Sequence, residues 1–517
     1  MVKIIIDDKP VEVEEGTTVF NAAKDAGIAI PHFCYHPAFA PEGTCRMCLV
    51  EIEGIPKLEL ACSTIVREGM KVFTQSDRVV EARRGVLEFL LADHPLDCPI
   101  CDQAGDCKLQ DYYEEYGLYD SHFSEVKEKR GKKSKLGPHL IHDQERCVLC
   151  RRCVRFLQEV TKTQEMGVFE RGVHAEVNIH EGILIDNNYS GNLAEICPVG
   201  AITDTDFRFK TRSWFLGKGT SICPHCSRGC NITIEYNAFF HRFPVPQRVY
   251  RIKSLYNPNV NGYWICDLGR YGYRYLDDDR LDEIRVNSGN DKLAWQAVAP
   301  LLAEKLNRLR YMNRASRIAL VLNTWLTNEE LFLVKKIFGD DLKTNKIVFA
   351  DPPQGKADDL LLTEDRSPNR KGAEAIGFDL NPLDLDVLFE KTDILLIFGS
   401  YLKDKANPAE LKTHLDKIET TILLSSHKSE LDALVDVVLP VPTIAEKSGS
   451  LTNCEGVVQT FSPALEDHRN SCPEWQFLVD LGKELGSNFK YYSQFTSTQA
   501  ILKEMGKEIV FFEMNND

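Results

Sequence analysis

Seventeen cysteines stand in this 517-residue chain, and fifteen of them fall between Cys34 and Cys266. No other feature limits the possible folds as much. Thiols crowded in this way either staple a secreted chain with disulfides or close on metal. The opening MVKIIIDDKPVEVEEG lacks the charged-then-apolar layout of a signal peptide, and it is acidic where a transit peptide is Arg-rich. A chain of this length without a leader keeps its thiols reduced, so the clusters read as metal ligands in a cytosolic-side protein. The net charge of −15 argues against a nucleic-acid binder. No apolar run is long enough to span a membrane.

The cysteines divide into four groups. Cys34, Cys45, Cys48 and Cys62 run C-x10-C-x2-C-x13-C, three in one loop and a fourth returning late. That is the logic of a plant-type [2Fe–2S] site, with different spacing, and zinc is the alternative. Gly43, just before Cys45, suits a backbone that must curl round a centre. In HPLDCPICDQAGDC only Cys98, Cys101 and Cys107 are present, and every other cysteine nearby has its own group. Three thiolates need a fourth donor, and His94 lies close enough to supply it, giving an expected [4Fe–4S] site. An imidazole in place of a thiolate removes a negative charge, which raises the potential.

Cys147, Cys150 and Cys153, with a distant Cys197 followed by Pro198, match the bacterial ferredoxin pattern for a cubane. Three cysteines bunched this tightly do not suit zinc, which takes its ligands in pairs. Arg146, Arg151, Arg152 and Arg155 surround the run; they either offset a cluster's charge or form an exposed helical face. Cys223, Cys226 and Cys230, then Cys266 after a long gap, give a fourth expected [4Fe–4S] site, with buried thiols or zinc as alternatives. There is no dinucleotide, phosphate-loop or flavin fingerprint. A row of redox centres without a substrate motif is a wire for single electrons.

The rest of the chain frames these groups. VKIIIDDKPVEVEE predicts two strands around an Asp-Asp-Lys-Pro turn, and TTVFNAAKDAGI a helix capped by Thr17 or Thr18 and ended by Gly27. Residues 78–116 predict helix, and KEKRGKKSK (Lys127 to Lys135) a solvated loop or a patch for an acidic partner. After about residue 290, IALVLN, KIVFAD, DILLIFG and TTILLSS alternate with helical segments. That alternation predicts a mostly parallel sheet with helices on both faces.

The motifs PHFCYHP, GTCRMCLVE, HPLDCPICDQAGDCKLQD, ERCVLCRRCVRF, NLAEICPVGAIT and ICDLGRYGY, in this order, resemble the large iron–sulfur subunit of respiratory complex I, the proton-pumping NADH:quinone oxidoreductase. The likeness implies an α+β and α/β multidomain chain. Its parts would be a β-grasp [2Fe–2S] ferredoxin domain over residues 1–77, a [4Fe–4S] domain with one His and three Cys ligands over 78–117 and a ferredoxin-like [4Fe–4S] domain over 138–210. A fourth [4Fe–4S] domain over 216–275 and a molybdopterin-oxidoreductase-like α/β domain over 276–517 would follow. It also supports His94 as a ligand independently of the count.

The resemblance further implies a flavin- and NADH-binding partner carrying FMN at one end and a [4Fe–4S] partner leading to quinone at the other. The chain would sit on the cytoplasmic side of a bacterial inner membrane, touching the membrane only through partners. VVLPVPTIAEKSGSLTNCEGVVQ (Val437–Gln459) resembles a molybdopterin enzyme, but the chain ends where a second half of that domain would begin, so no molybdenum is expected. The gap before Cys266 is longer than the family's. The rival readings are an iron–sulfur subunit of a soluble NAD-linked hydrogenase or formate dehydrogenase, and a zinc-held scaffold.

Overall fold

The computed structural model describes residues 1–117, 120–239, 247–287, 293–380, 384–467, 469–486 and 488–513. They form two compact units, Met1–Leu216 and Gly217–Asp517. Within the first, a five-stranded sheet runs in the order Lys9–Val13, Val2–Ile6, Lys71–Phe73, Leu49–Ile52, Glu59–Leu60. The expected hairpin is present, but its turn is only Asp7 and Asp8, both at positive φ. Those values are what a two-residue hairpin twist requires. Lys9 and Pro10 therefore belong to the strand, which Pro10 tolerates because it is an edge strand. The Asp7 carboxylate accepts from the Thr74 amide at 2.7 Å and holds the turn.

Helix Val19–Asp25 packs Val19, Phe20, Ala22 and Ala23 on this sheet, against Ile4, Ile6 and Val50. Of the two candidate caps, Thr18 is the one used, its hydroxyl accepting from the Asn21 amide. The helical stretch expected over 78–116 is interrupted. Helix Asp77–Asp93 stops at His94, which is extended, and helix resumes only at Lys108–Tyr112. The break comes where Pro95 follows His94, since a residue before proline is pushed out of the helical region, and the cysteine loop follows. A small sheet (Ile202–Asp204, Leu140–His142, Ser134–Lys135) and short helices Arg152–Arg155 and Asn192–Ile196 complete this unit's cysteine-bearing part.

In the second unit, strands Leu216–Ile222, Asn231–Asn237 and Val249–Ser254 make a three-stranded sheet. Beyond it the expected parallel sheet is found. Its order is Val437–Pro440, Thr420–Ser425, Ile394–Phe398, Ile318–Leu322, Lys346–Phe349, all parallel, with Arg285–Val286 antiparallel at one edge. Every residue of Ile318–Leu322 and Ile394–Phe398 is buried, as a strand covered on both faces must be. Helices Trp295–Tyr311, Asn328–Val334 and Glu474–Leu485 pack on one face, and Pro408–Leu415 on the other.

At the end of strand Val437–Pro440 the chain buries Glu446. Its carboxylate accepts from Arg248 at 2.6 Å, Arg280 at 2.7 Å and Arg469 at 3.2 Å, and from the Thr443 amide at 2.9 Å. Burial alone would raise its pKa, but the Arg280 and Arg248 guanidiniums hold it down at about 2. A carboxyl lowered on folding adds stability above its unfolded value of 4.5, and that stability fades as pH falls toward about 2. Glu446→Gln should therefore cost about 3–5 kcal/mol at neutral pH. Urea titrations between pH 4.5 and 2 should show a flatter dependence for the variant than for the parent.

Candidate metal centres

The first group lies on the loop between helix Val19–Asp25 and strand Leu49–Ile52, with Cys62 just after Glu59–Leu60. Cys34, Cys48 and Cys62 are fully buried. Their sulfurs meet in hydrogen-bonded pairs, Cys34 with Cys45 and Cys48 with Cys62. The Phe33 amide donates to Cys45 Sγ at 3.4 Å. A hydrogen bond from Cys45 and the amides of Cys45 and Gly43 lower the pKa of the Cys34 thiol, against its burial. Gly43 has φ +74°, and a Cβ there would lie 2.8 Å from Leu60 Cδ1, so the curl needs glycine. The loop already presents buried thiols and inward amides, which is what an anionic sulfur centre requires.

In the second group His94 caps the end of helix Asp77–Asp93. Burial lowers its imidazole to a pKa of about 4, so the ring is neutral, and its Nδ1 is buried without a hydrogen-bond partner. A cavity of about 510 Å³ is lined by His94, Cys98 and Cys107, with Leu87, Leu91 and Leu109 behind them. Cys101 does not line it. Its sulfur instead touches Gly200, where a Cβ would come within 2.4 Å. The structure thus brings three of the four candidates to one cavity and leaves the fourth outside its lining. Lys127 reaches the Leu91 and Ala92 carbonyls at the end of the His94 helix, where a cation opposes the helix dipole. The basic stretch is largely exposed, as a solvated loop would be, although Lys132 pairs with Glu145 and Arg130 bonds the Val173 carbonyl.

The third group is the most fully assembled. Cys147, Cys150, Cys153 and Cys197 line one small enclosed cavity. Leu149 and Arg151, between the cysteines, both have positive φ, so the backbone reverses at each step and turns its amides inward. Amides of Leu149, Arg152 and Val154 face Cys147, Cys150 and Cys153, and those of Val199, Ala201 and Ile202 face Cys197. Burial nonetheless pushes Cys147 and Cys150 up to about 12. His142 lines the same cavity, with both ring nitrogens buried and unpartnered. The surrounding arginines are no exposed helical face, because Arg146, Arg152 and Arg155 are all buried.

These groups touch. Arg155 donates to the Cys34 carbonyl at 3.4 Å, and Arg152 to the Tyr35 and Ile196 carbonyls, joining the first loop to the third group. The Lys108 amide donates to the Pro198 carbonyl at 2.9 Å, joining the residue after Cys107 to the residue after Cys197.

In the second unit Cys223, Cys226, Cys230 and Cys266 are all buried; Cys230 feels the charge of the other three, and Cys223 that of Cys226 and Cys266. The Cys223 amide donates to the Cys230 carbonyl at 2.8 Å, closing the loop between two strands. The long gap is filled by the Asn231–Asn237 and Val249–Ser254 hairpin, which brings Cys266 back to cap helix Asp267–Tyr271. Cys454, outside the four groups by sequence, donates its amide to the Ser227 carbonyl at 2.7 Å.

Among the described residues no three His, Cys, Asp or Glu side chains converge on a point as a single ion demands. An iron–sulfur cluster spreads its ligands over separate irons, so that geometry does not bear on it. Sequence reasoning missed Gly200, Lys127 and His142. Only Gly200 had a signal, its place three residues after Cys197.

Three family models match the chain. A 2Fe-2S iron-sulfur cluster binding domain covers residues 1–77, and the NADH-ubiquinone oxidoreductase-G iron-sulfur binding region covers 83–122. The ferredoxin-like domain of NADH-quinone oxidoreductase subunit 3 covers 137–203. The NADH-quinone oxidoreductase G subunit of Rickettsia bellii is 39% identical over 338 residues, 65% of this chain and 48% of the relative. The NADH-ubiquinone oxidoreductase 75 kDa subunit of Reclinomonas americana is 37% identical over 350 residues, 67% of this chain and 49% of the relative. The chain spans about half the length of these curated relatives. A solved NAD+-reducing [NiFe]-hydrogenase in its H2-reduced state is 32% identical, covering 41% of this chain and 90% of that one, with a TM-score of 0.38.

Gly200→Ala should drive the Cys101 sulfur off its seat. Iron and acid-labile sulfide assays should then find about four fewer irons per chain than in the parent. An unchanged count would mean that Cys101 is not a ligand.

Proposed function

We propose that this chain, a homologue of the NADH-quinone oxidoreductase G subunit over about two-thirds of its length, relays electrons within such an enzyme. Its proposed ligands are Cys34, Cys45, Cys48 and Cys62 for a [2Fe–2S] centre. Three [4Fe–4S] centres take His94, Cys98, Cys101 and Cys107; Cys147, Cys150, Cys153 and Cys197; and Cys223, Cys226, Cys230 and Cys266. Molybdenum is not part of the proposal. When bound, such centres accept and release single electrons. The observation that carries the reading is the enclosed cavity walled by all four cysteines of the third group, with six amides turned toward their sulfurs.

The residues fit the groups. Orphaned polar atoms gather beside the thiols, at His94 Nδ1, both nitrogens of His142 and Arg152 Nε. Buried polar groups are satisfied in nearly every protein, and sulfide or thiolate acceptors would satisfy the donors among these. His94 Nδ1 carries no hydrogen bond, which suits a ligand better than a core histidine.

The third group's flanks contact the first loop through Arg152 and the second through Pro198 and Gly200. We therefore order the relay first, third, second. Electrons would enter from a partner carrying FMN and leave toward a [4Fe–4S] partner leading to quinone. Among the described residues no helix is long and apolar enough to cross a membrane. The chain would be peripheral, on the cytoplasmic side of a bacterial inner membrane, and reach the membrane through its partners.

Cys150→Ser, introduced into the assembled enzyme, tests the order. NADH-driven quinone reduction should fall below about one hundredth of the parent rate, while NADH still reduces the [2Fe–2S] signal. A rate within twofold of the parent, in an enzyme shown by EPR to lack the third centre, would remove that centre from the path.

A further inference from the structure

Arg152 carries a charge that the protein does not balance. Of the four arginines around the third group, Arg146 pairs with Asp97 at 2.6 Å and with Asp143 at 3.5 Å. Arg151 pairs with Glu42, and Arg155 with Glu159 at 3.1 Å and Glu42 at 3.8 Å. Arg152 has no carboxylate within ion-pair distance among the described residues. It is nevertheless only 9% exposed. One guanidinium nitrogen donates to the Ile196 carbonyl at 3.2 Å and the other to the Tyr35 carbonyl at 2.5 Å, while Nε is buried without a partner.

Burying a cation without an opposing charge is strongly unfavourable, and carbonyl dipoles offset only part of the cost. The missing negative charge has two candidates at hand. Ile196 precedes Cys197 and Tyr35 follows Cys34, so the guanidinium fork spans from the first cysteine loop to the third. Thiolate-bound iron–sulfur centres are anionic, and nearby charge is among the factors that set their potentials. A planar fork also fixes two acceptors relative to each other in a way that a lysine cannot.

We propose that Arg152 is a positioning residue shared by the first and third centres. Its cation favours the electron-bearing state of the third centre, and its fork fixes the two loops between which the electron passes. The inference rests on the relay reading above. The transfer it serves moves one electron from the first centre to the third. One is oxidised by one electron, the other is reduced by one, and no bond or proton changes.

The test is an anaerobic redox titration of the full chain followed by EPR, with iron and sulfide counted, for the parent, Arg152→Gln and Arg152→Lys. In Arg152→Gln the reduced-to-oxidised ratio of the third centre at fixed ambient potential should fall about tenfold, equivalent to about 59 mV for one electron. Arg152→Lys, which keeps the charge, should stay within about threefold of the parent. If the glutamine variant fails to load its third centre while the lysine variant loads it, the need for charge is supported equally. Two results would overturn the proposal: a loaded glutamine variant within twofold of the parent, or a lysine variant that behaves like the glutamine one. A parent chain lacking both the [2Fe–2S] and cubane signals would instead sink the relay reading, and the inference with it.

Discussion

The cysteine-bearing part of the first unit is arranged around sulfur atoms most of which are withdrawn from water, Cys98 being the exposed one. A buried thiolate is tolerated only where amides and cations face it. Here that requirement shapes the backbone: the left-handed residues Leu149 and Arg151 and the tight curl at Gly43. The same demand buries Arg146, Arg152 and Arg155, residues that would ordinarily sit on a surface. Because two of these arginines donate to carbonyls of the first loop, the groups are locked to one another as well as formed. An electron relay needs that rigidity, since its centres must keep a fixed spacing.

The second unit obeys a different rule. Its parallel sheet is held by apolar burial on both faces, and its strand order reverses between Ile318–Leu322 and Ile394–Phe398. Such reversals open crevices at the carboxyl ends of strands. A cavity of about 480 Å³ lies there, walled in part by Tyr275, Trp325 and Tyr401. The fourth cysteine group belongs to this unit, where a hairpin returns Cys266 to its partners.

Much of this was legible in the sequence, for identifiable reasons. Cysteine spacing is local chemistry, so the four groups could be drawn before any fold was known. The period-two and both-face-buried patterns placed the N-terminal hairpin and four parallel strands. What escaped were effects of three-dimensional proximity. Nothing in KEKRGKKSK reveals that Lys127 would reach the end of a helix 35 residues earlier. His142 reads as an ordinary strand residue until its ring is found beside four cysteines. The arginines were visible, but not that only one of them would lack a carboxylate. The turn at Asp7 and Asp8 is two residues shorter than the sequence suggests, because Pro10 signals turns more often than edge strands.

Under the proposed assignment these four groups hold iron and sulfide and no other metal. Metal analysis and acid-labile sulfide on anaerobically purified chain, with EPR after dithionite reduction, address it directly. About 14 irons per chain are expected, with one [2Fe–2S] signal beside those of cubanes. About 10 irons would leave one cubane group empty, and Cys223→Ser would show whether it is the fourth. Zinc in place of iron, with no sulfide released, would rule that assignment out.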